Sequence, residues 1–189
     1  MTLALPGFAD PVGDSQACFR AVLDAMARPG TIHAVGMPAE PPAPLGRAAA
    51  AVLLTLADFD TPLWLDPAAA DAAPWLAFHC GTPMAALDRA AFVVGIGAVE
   101  FEAVFAGTDD GPEDGATVVL QIDALGSGPA FILDGPGLEA EAVFRASLPP
   151  GFAASWAANH ARFPRGFDVI LCAGDRLAAL PRSLRLREG

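Results

Sequence analysis

Apolar residues recur every three or four positions in "SQACFRAVLDAMA", residues 15–27, and again in "RAAAAVLLTLAD", residues 47–58, a spacing that predicts two helices. In the first, Cys18, Val22 and Met26 fall four apart with Phe19 and Leu23 beside them. Asp14 is its expected N-cap, and "RPG" at 28–30 stops it. A third helix is expected around 69–78, and a fourth through "FAASWAANHA" before Pro164. Between these run short apolar blocks: "TIHAV", "PLWL", "AAFVVG", "ATVVLQI", "AFILD", "FDVILC" and "LAAL". Several are apolar at every position, the pattern of strands buried on both faces. "GSGP" reads as a turn joining "ATVVLQI" to "AFILD" in a hairpin-like arrangement. Residues 138–147 are polar enough for an edge strand or a loop, and "VEFEAVFAG" fits a short helix or a strand equally. Residues 36–46 hold six prolines and glycines and read as a linker. Alternating helices and strands predict an α/β fold, a single domain over residues 1–189 with a mixed β-sheet covered by helices on both faces.

Composition narrows the class. At 189 residues and 53% hydrophobic, the chain can bury a sizeable core and is neither disordered nor fibrous. The longest apolar run, residues 48–57, is about half of what a membrane crossing needs, and no basic segment precedes an apolar one as in a signal peptide. No membrane association is expected. Three cysteines at unrelated spacings form no disulfide framework, which points to reduced thiols in a cytoplasm.

The net charge of −11 excludes a nucleic-acid backbone as partner, but it is unevenly spread. Through Asn159 there are five arginines against nineteen acids; from His160 onward there are six arginines against three. Arg162, Arg165, Arg176 and Arg182 all fall in or beside "FPRGFDVILCAGDRLAALPRS". Three readings of them stand side by side: a phosphate pocket, a partner-docking surface, or solvation of strand ends. Arginine suits forked contacts with phosphate or carboxylate and stays charged at interfaces.

The other chemistry-bearing stretches are weaker. "LDGPGLEAE" sets glycines after a strand, as a phosphate cradle would, but lacks the dinucleotide fingerprint and reads more simply as a turn. "GTDDGPEDGAT" gathers four acids without calcium-loop spacing and reads as a solvated loop. Adjacent His79 and Cys80 do not have zinc spacing, and no metal site is expected. His33, His79 and His160 are scattered with no nucleophile elbow, and no catalytic residue is assigned. Asp58 and Asp60 in "DFDT" fit a turn better than acid–base work.

Five segments taken in order carry a resemblance. They are "FRAVLDAMARPG", "VLLTLADFDTPLWL", "GTDDGPEDGATVVLQI", "GPG" and "FPRGFDVILCAGDRLAALPRS". Together the chain resembles the PhnH family, subunits of the bacterial carbon–phosphorus lyase machinery that degrades alkylphosphonates. The resemblance implies an α/β fold similar to the large domain of pyridoxal-phosphate (PLP) dependent transferases, a homodimer, and membership of a core complex with the G, I and J subunits. It also implies a supporting role in displacing the purine of a nucleoside triphosphate by a phosphonate, giving ribose 1-phosphonate 5-triphosphate. The J subunit then cleaves the carbon–phosphorus bond. No catalytic residues follow from the resemblance.

A PLP enzyme holds its cofactor through a lysine amine, and this chain contains no lysine, so no cofactor is expected whatever the fold resembles. The resulting expectation is a subunit that works by assembly or docking, with Arg165, Arg182, Arg162 and Arg176 as candidate contacts. The competing expectation is a self-sufficient transferase acting on a phosphorylated sugar or nucleotide through "GPG" and the same arginines.

Overall fold

The computed structural model describes residues 5–36 and 40–189; positions 37–39 of the expected linker lie outside the described residues. Helix α1 (Pro11–Ala27) begins one turn earlier than its apolar spacing indicated. Asp10, not Asp14, is the N-cap: its carboxylate accepts from Gly13 N at 3.2 Å, and Pro11 supplies a preset first helical φ. Asp14 has the reciprocal role, its Oδ2 accepting from Asp10 N at 3.1 Å. Strand β1 (His33–Ala34) follows, then helix α2 (Arg47–Leu56), whose residues Ala48 to Leu53 are all buried. A helix apolar on every side has to sit inside the protein.

Strand β2 (Leu63–Leu65) leads into the expected third helix, which divides into a 3₁₀ segment (Pro67–Ala72) and α3 (Ala73–Cys80). Strands β3 (Phe92–Ile96), β4 (Thr117–Gln121) and β7 (Asp168–Ala173) have continuous apolar, buried centres, and with β2 they run parallel. Strand β8 (Arg176–Leu180) pairs antiparallel to β7, and β1 antiparallel to β8, giving the order β1-β8-β7-β4-β3-β2. The sheet is mixed, as expected. The register aligns Val93, Val118 and Val169 in one row and Val94, Val119 and Ile170 in the next, so alternate rows feed opposite cores.

One core packs against α1, α2 and α3. The other face is not a helical layer like the first. It is covered by a second sheet, order β6-β5-β9, from β5 (Leu125–Asp134), β6 (Ala142–Ala146) and β9 (Arg185–Glu188), with one helix, α4 (Phe152–His160). The cause is local. "GSGP" is not a turn back onto β4 but part of β5, where Gly126 and Gly128 take φ of 83° and 96° and the register shifts. Those glycines bend β5 away from β4 into its own sheet. The hairpin is therefore β5–β6, and residues 142–146 form an edge strand. "VEFEAVFAG" is neither option in full: only Phe101–Ala103 is helical, as a 3₁₀ turn.

Candidate functional site

The six C-terminal arginines do not converge. They separate into three places along the fold. Arg162, Arg165 and Arg182 stand near the amino end of β7, Arg176 opens β8 at the other end of that strand pair, and Arg185 and Arg187 lie on β9.

Arg182 is committed inside the chain. Its Nε and Nη2 donate to Asp168 Oδ2 at 3.1 and 2.6 Å, and Nη1 donates to the Pro112 carbonyl at 2.5 Å. Its own N–H donates to Asp168 Oδ1 at 2.7 Å, and its side chain is 14% exposed. A forked guanidinium thus ties the acidic loop at 107–115 to the start of β7. Arg165 closes the same loop from outside, Nε to Asp109 Oδ1 at 3.1 Å, but with both side chains well exposed. Arg162 is exposed at the end of α4 beside Phe101, Glu102 and Asn159. Arg176 reaches the Leu125 carbonyl at 3.5 Å.

The platform beneath these residues is an aromatic cluster. Phe101 stacks on Phe167 at 5.6 Å and meets Phe152 edge-on at 5.3 Å, and Trp156 packs against both Phe152 and Phe167. Buried Asn159 clasps Phe167 twice, Nδ2 donating to its carbonyl at 2.8 Å and Oδ1 accepting from its N–H at 3.0 Å. Sequence reading passed over Asn159. Its only local signal is a polar residue on the apolar side of a short helix.

The carboxyl ends of parallel strands are where open α/β sheets ordinarily receive ligands. Here the chain's own groups occupy them. Asp66 after β2 accepts from Ala68 N at 2.8 Å and from Ile96 N at 3.1 Å. Gln121, the last residue of β4, accepts from Gly46 N at 2.6 Å and donates to the Pro44 carbonyl at 2.9 Å. "GPG" at 135–137 is a turn packed on the end of α1: a Cβ on Gly137, at φ 87°, would stand 2.5 Å from the Ala27 carbonyl oxygen. That close approach accounts for the glycine.

A cavity of about 290 Å³ lies between α4 and the small sheet, lined by Ile132, Trp156, Ala157 and Leu186. Its charged residues satisfy one another: Arg185 with Asp134 at 3.3 Å, and Arg187 with both oxygens of Glu141 at 2.8 and 2.9 Å. His160 beside it is 3.2 Å from the Arg182 carbonyl through Nδ1. His79 Nε2 and Trp75 Nε1 both meet the Leu5 carbonyl, at 3.1 and 2.9 Å. Among the described residues, no group of three His, Cys, Asp or Glu is placed to hold a metal ion. Burial pushes all three thiols up, Cys80 to about 11, which makes them poor nucleophiles near neutrality. No helix among the described residues is long and apolar enough to cross a membrane.

Comparison with known proteins gives this architecture relatives. Residues 6–187 match the family described as "Bacterial phosphonate metabolism protein (PhnH)". A protein of Rhizobium meliloti (strain 1021), "Alpha-D-ribose 1-methylphosphonate 5-triphosphate synthase subunit PhnH", is 41% identical over 186 residues, covering 95% of this chain and 93% of its own. The "Putative C-P lyase subunit protein HtxG" of Stutzerimonas stutzeri is 34% identical over 173 residues, covering 90% and 85%. The match takes in all five segments that carried the resemblance, from "FRAVLDAMARPG" to "LAALPRS". This chain belongs to the PhnH family of bacterial phosphonate metabolism proteins.

Proposed function

We propose that this chain is a subunit of the carbon–phosphorus lyase machinery in alkylphosphonate catabolism, contributing to ribose 1-phosphonate 5-triphosphate formation by assembly rather than by chemistry of its own. The observation that carries this reading is the near full-length similarity to a relative named as a subunit of that synthase. The arrangement of polar groups supports it. The strand ends where an α/β enzyme gathers reactive groups are capped by Asp66 and Gln121, and Arg182 is bound to Asp168 and Pro112. The G, I and J subunits are the partners, self-association into a homodimer accompanies them, and the cytoplasm is the compartment. Three free cysteines fit a reducing environment.

Kinship with the large domain of PLP-dependent transferases belongs to the same proposal, for the fold alone. A chain without lysine has no amine to hold that cofactor. Of the four candidate arginines, Arg162 and Arg176 are exposed and Arg165 is partly so, as docking requires, while Arg182 supports the loop on which Arg165 rests.

The test is reconstitution. Co-expressed with tagged G, I and J subunits, the chain is expected to stay with them through affinity and size-exclusion steps. Elution of the chain by itself, with the other three assembled without it, would count against the proposal. A self-sufficient transferase, the competing reading, has one feature in its favour: the 290 Å³ cavity beside His160. Adenine release by the purified chain alone, given ATP and methylphosphonate, would establish that reading instead.

A further inference from the structure

Eight large apolar side chains are exposed among the described residues, and three of them fall on two segments that bond to each other. Phe59 is 73% exposed, Phe78 67% and Met84 46%. The turn holding Phe59 is joined to the segment after α3 by Thr82 Oγ1 donating to the Thr61 carbonyl at 2.6 Å. Leu63 N donates to the Pro83 carbonyl at 2.9 Å, and Ala85 N to the Leu63 carbonyl at 2.8 Å. Gly81, left-handed at φ 71°, ends α3 and turns the chain beneath Phe59; a Cβ there would stand 3.7 Å from the Phe59 Cβ.

The Phe59 turn is closed by its own hydrogen bonds. Asp58 Oδ1 accepts from Asp60 N at 2.9 Å and from the Thr61 hydroxyl at 3.1 Å, while Thr61 Oγ1 accepts from Asp58 N at 2.7 Å. A phenyl ring held into solvent on a fixed backbone loses little conformational freedom when it is covered. It is also of the aromatic kind that anchors interfaces. Asp58 and Asp60 flank it, both exposed, and neither enters an ion pair among the described residues.

We infer that the surface around Phe59, Phe78 and Met84 docks a different protein subunit that offers an apolar socket bordered by arginine or lysine. Charge selects this occupant. In a two-fold contact of the patch with itself, the Asp58 and Asp60 carboxylates of both copies would be gathered into one interface, on a chain already at −11. A basic rim around an apolar socket matches a phenyl ring between two carboxylates. The inference rests on the subunit role proposed above and names a surface for it other than the arginines.

The test measures binding of the full chain to an immobilised assembly of the G, I and J subunits, with Phe59→Ala, Phe59→Leu, Phe78→Ala and Asp60→Lys. Phe59→Ala is expected to weaken binding at least about 20-fold, with partial recovery in Phe59→Leu. Asp60→Lys is expected to slow association, by less as salt rises. Because these side chains are exposed, melting temperatures stay close to that of the unaltered chain. Equal binding by all four variants overturns the inference and leaves the subunit role standing; no binding by the unaltered chain overturns both. Loss of self-association with subunit binding intact would put a second copy on the patch and likewise overturn it.

Discussion

Replacing Arg182 by Ala separates a structural arginine from a docking one. The substitution removes two contacts to Asp168, at 2.6 and 3.1 Å, and the stronger of two donors to the Pro112 carbonyl, which keeps only Gly115 N at 3.3 Å. Taking one partner from a buried ion pair costs about 3–5 kcal/mol. Here Asp168 keeps the main-chain bond from residue 182 and its side chain is 22% exposed, so water reaches what is left. The expected cost is therefore lower, about 2–3 kcal/mol. For a chain of this length each kcal/mol moves Tm by about 2–4 °C, which puts the fall at about 4–12 °C. Scanning calorimetry of the purified variant reads it directly, and a double-mutant cycle with Asp168→Asn isolates the pair. Arg165→Ala is the control: its contact to Asp109 is exposed on both sides, and such pairs contribute less than about 1 kcal/mol. An Arg182→Ala variant that melts within about 2 °C of the unaltered chain, yet no longer joins its partners, would refute the reasoning and return Arg182 to the docking surface.

Four further outcomes follow from the same geometry. Asn159→Ala leaves the Phe167 N–H and carbonyl unpaired in a buried setting and is expected to cost about 2–4 kcal/mol by chemical denaturation. Asn159→Asp keeps the acceptor but loses the donor unless protonated. Its folded pKa is therefore raised, and its deficit against the unaltered chain should be smaller at pH 4.5 than at 7.5. Cys80, held up at about 11 by burial, keeps its proton in the folded state where an unfolded thiol, at about 9, has lost it. Its contribution is full below about pH 9 and is lost as pH rises toward 11, so the fall in Tm over that window should flatten in Cys80→Ala. Gly137→Ala meets the Ala27 carbonyl as well as the left-handed φ, whereas Gly97→Ala, at φ 81° with open space around it, bears only the backbone term of about 1–2 kcal/mol; comparing the two Tm values checks this.

Much of the fold was legible because its central strands are buried on both faces. "AAFVVG", "ATVVLQI" and "FDVILC" have apolar centres on both faces, and α2, apolar without a break from Ala48 to Leu54, could only be interior. The start of α1 was misjudged although a local signal existed: Pro11 after Asp10 marks a first helical residue and its cap. "GSGP" has the composition of a turn, and nothing local distinguishes a turn from glycines that bend a strand. β9 alternates Arg185, Leu186, Arg187, Glu188, with one apolar residue in four, too little for a strand assignment before its pairing with β5 is known.

The arginines show the harder limit. That Arg182 is internal depends on Asp168, 14 residues away, and on Pro112, 70 away; that Arg185 and Arg187 are matched depends on Asp134 and Glu141 across the small sheet. A run of positive residues in the sequence carries no record of such partners. The excess of positive charge after His160 resolves into three separate places, where Arg165, Arg176, Arg182, Arg185 and Arg187 each bond to groups of the same chain. The family segments were readable where the site was not, because they record shared ancestry rather than geometry.

The central proposal is that this chain enables a reaction it does not itself perform. The most direct measurement is adenine release from ATP and methylphosphonate, followed chromatographically, with the chain alone, with the remaining subunits alone, and with both. The account predicts no release by the isolated chain, and a rate for the remaining subunits that rises when the chain is added back. Release by the isolated chain, at a rate that the other subunits leave unchanged, would contradict it.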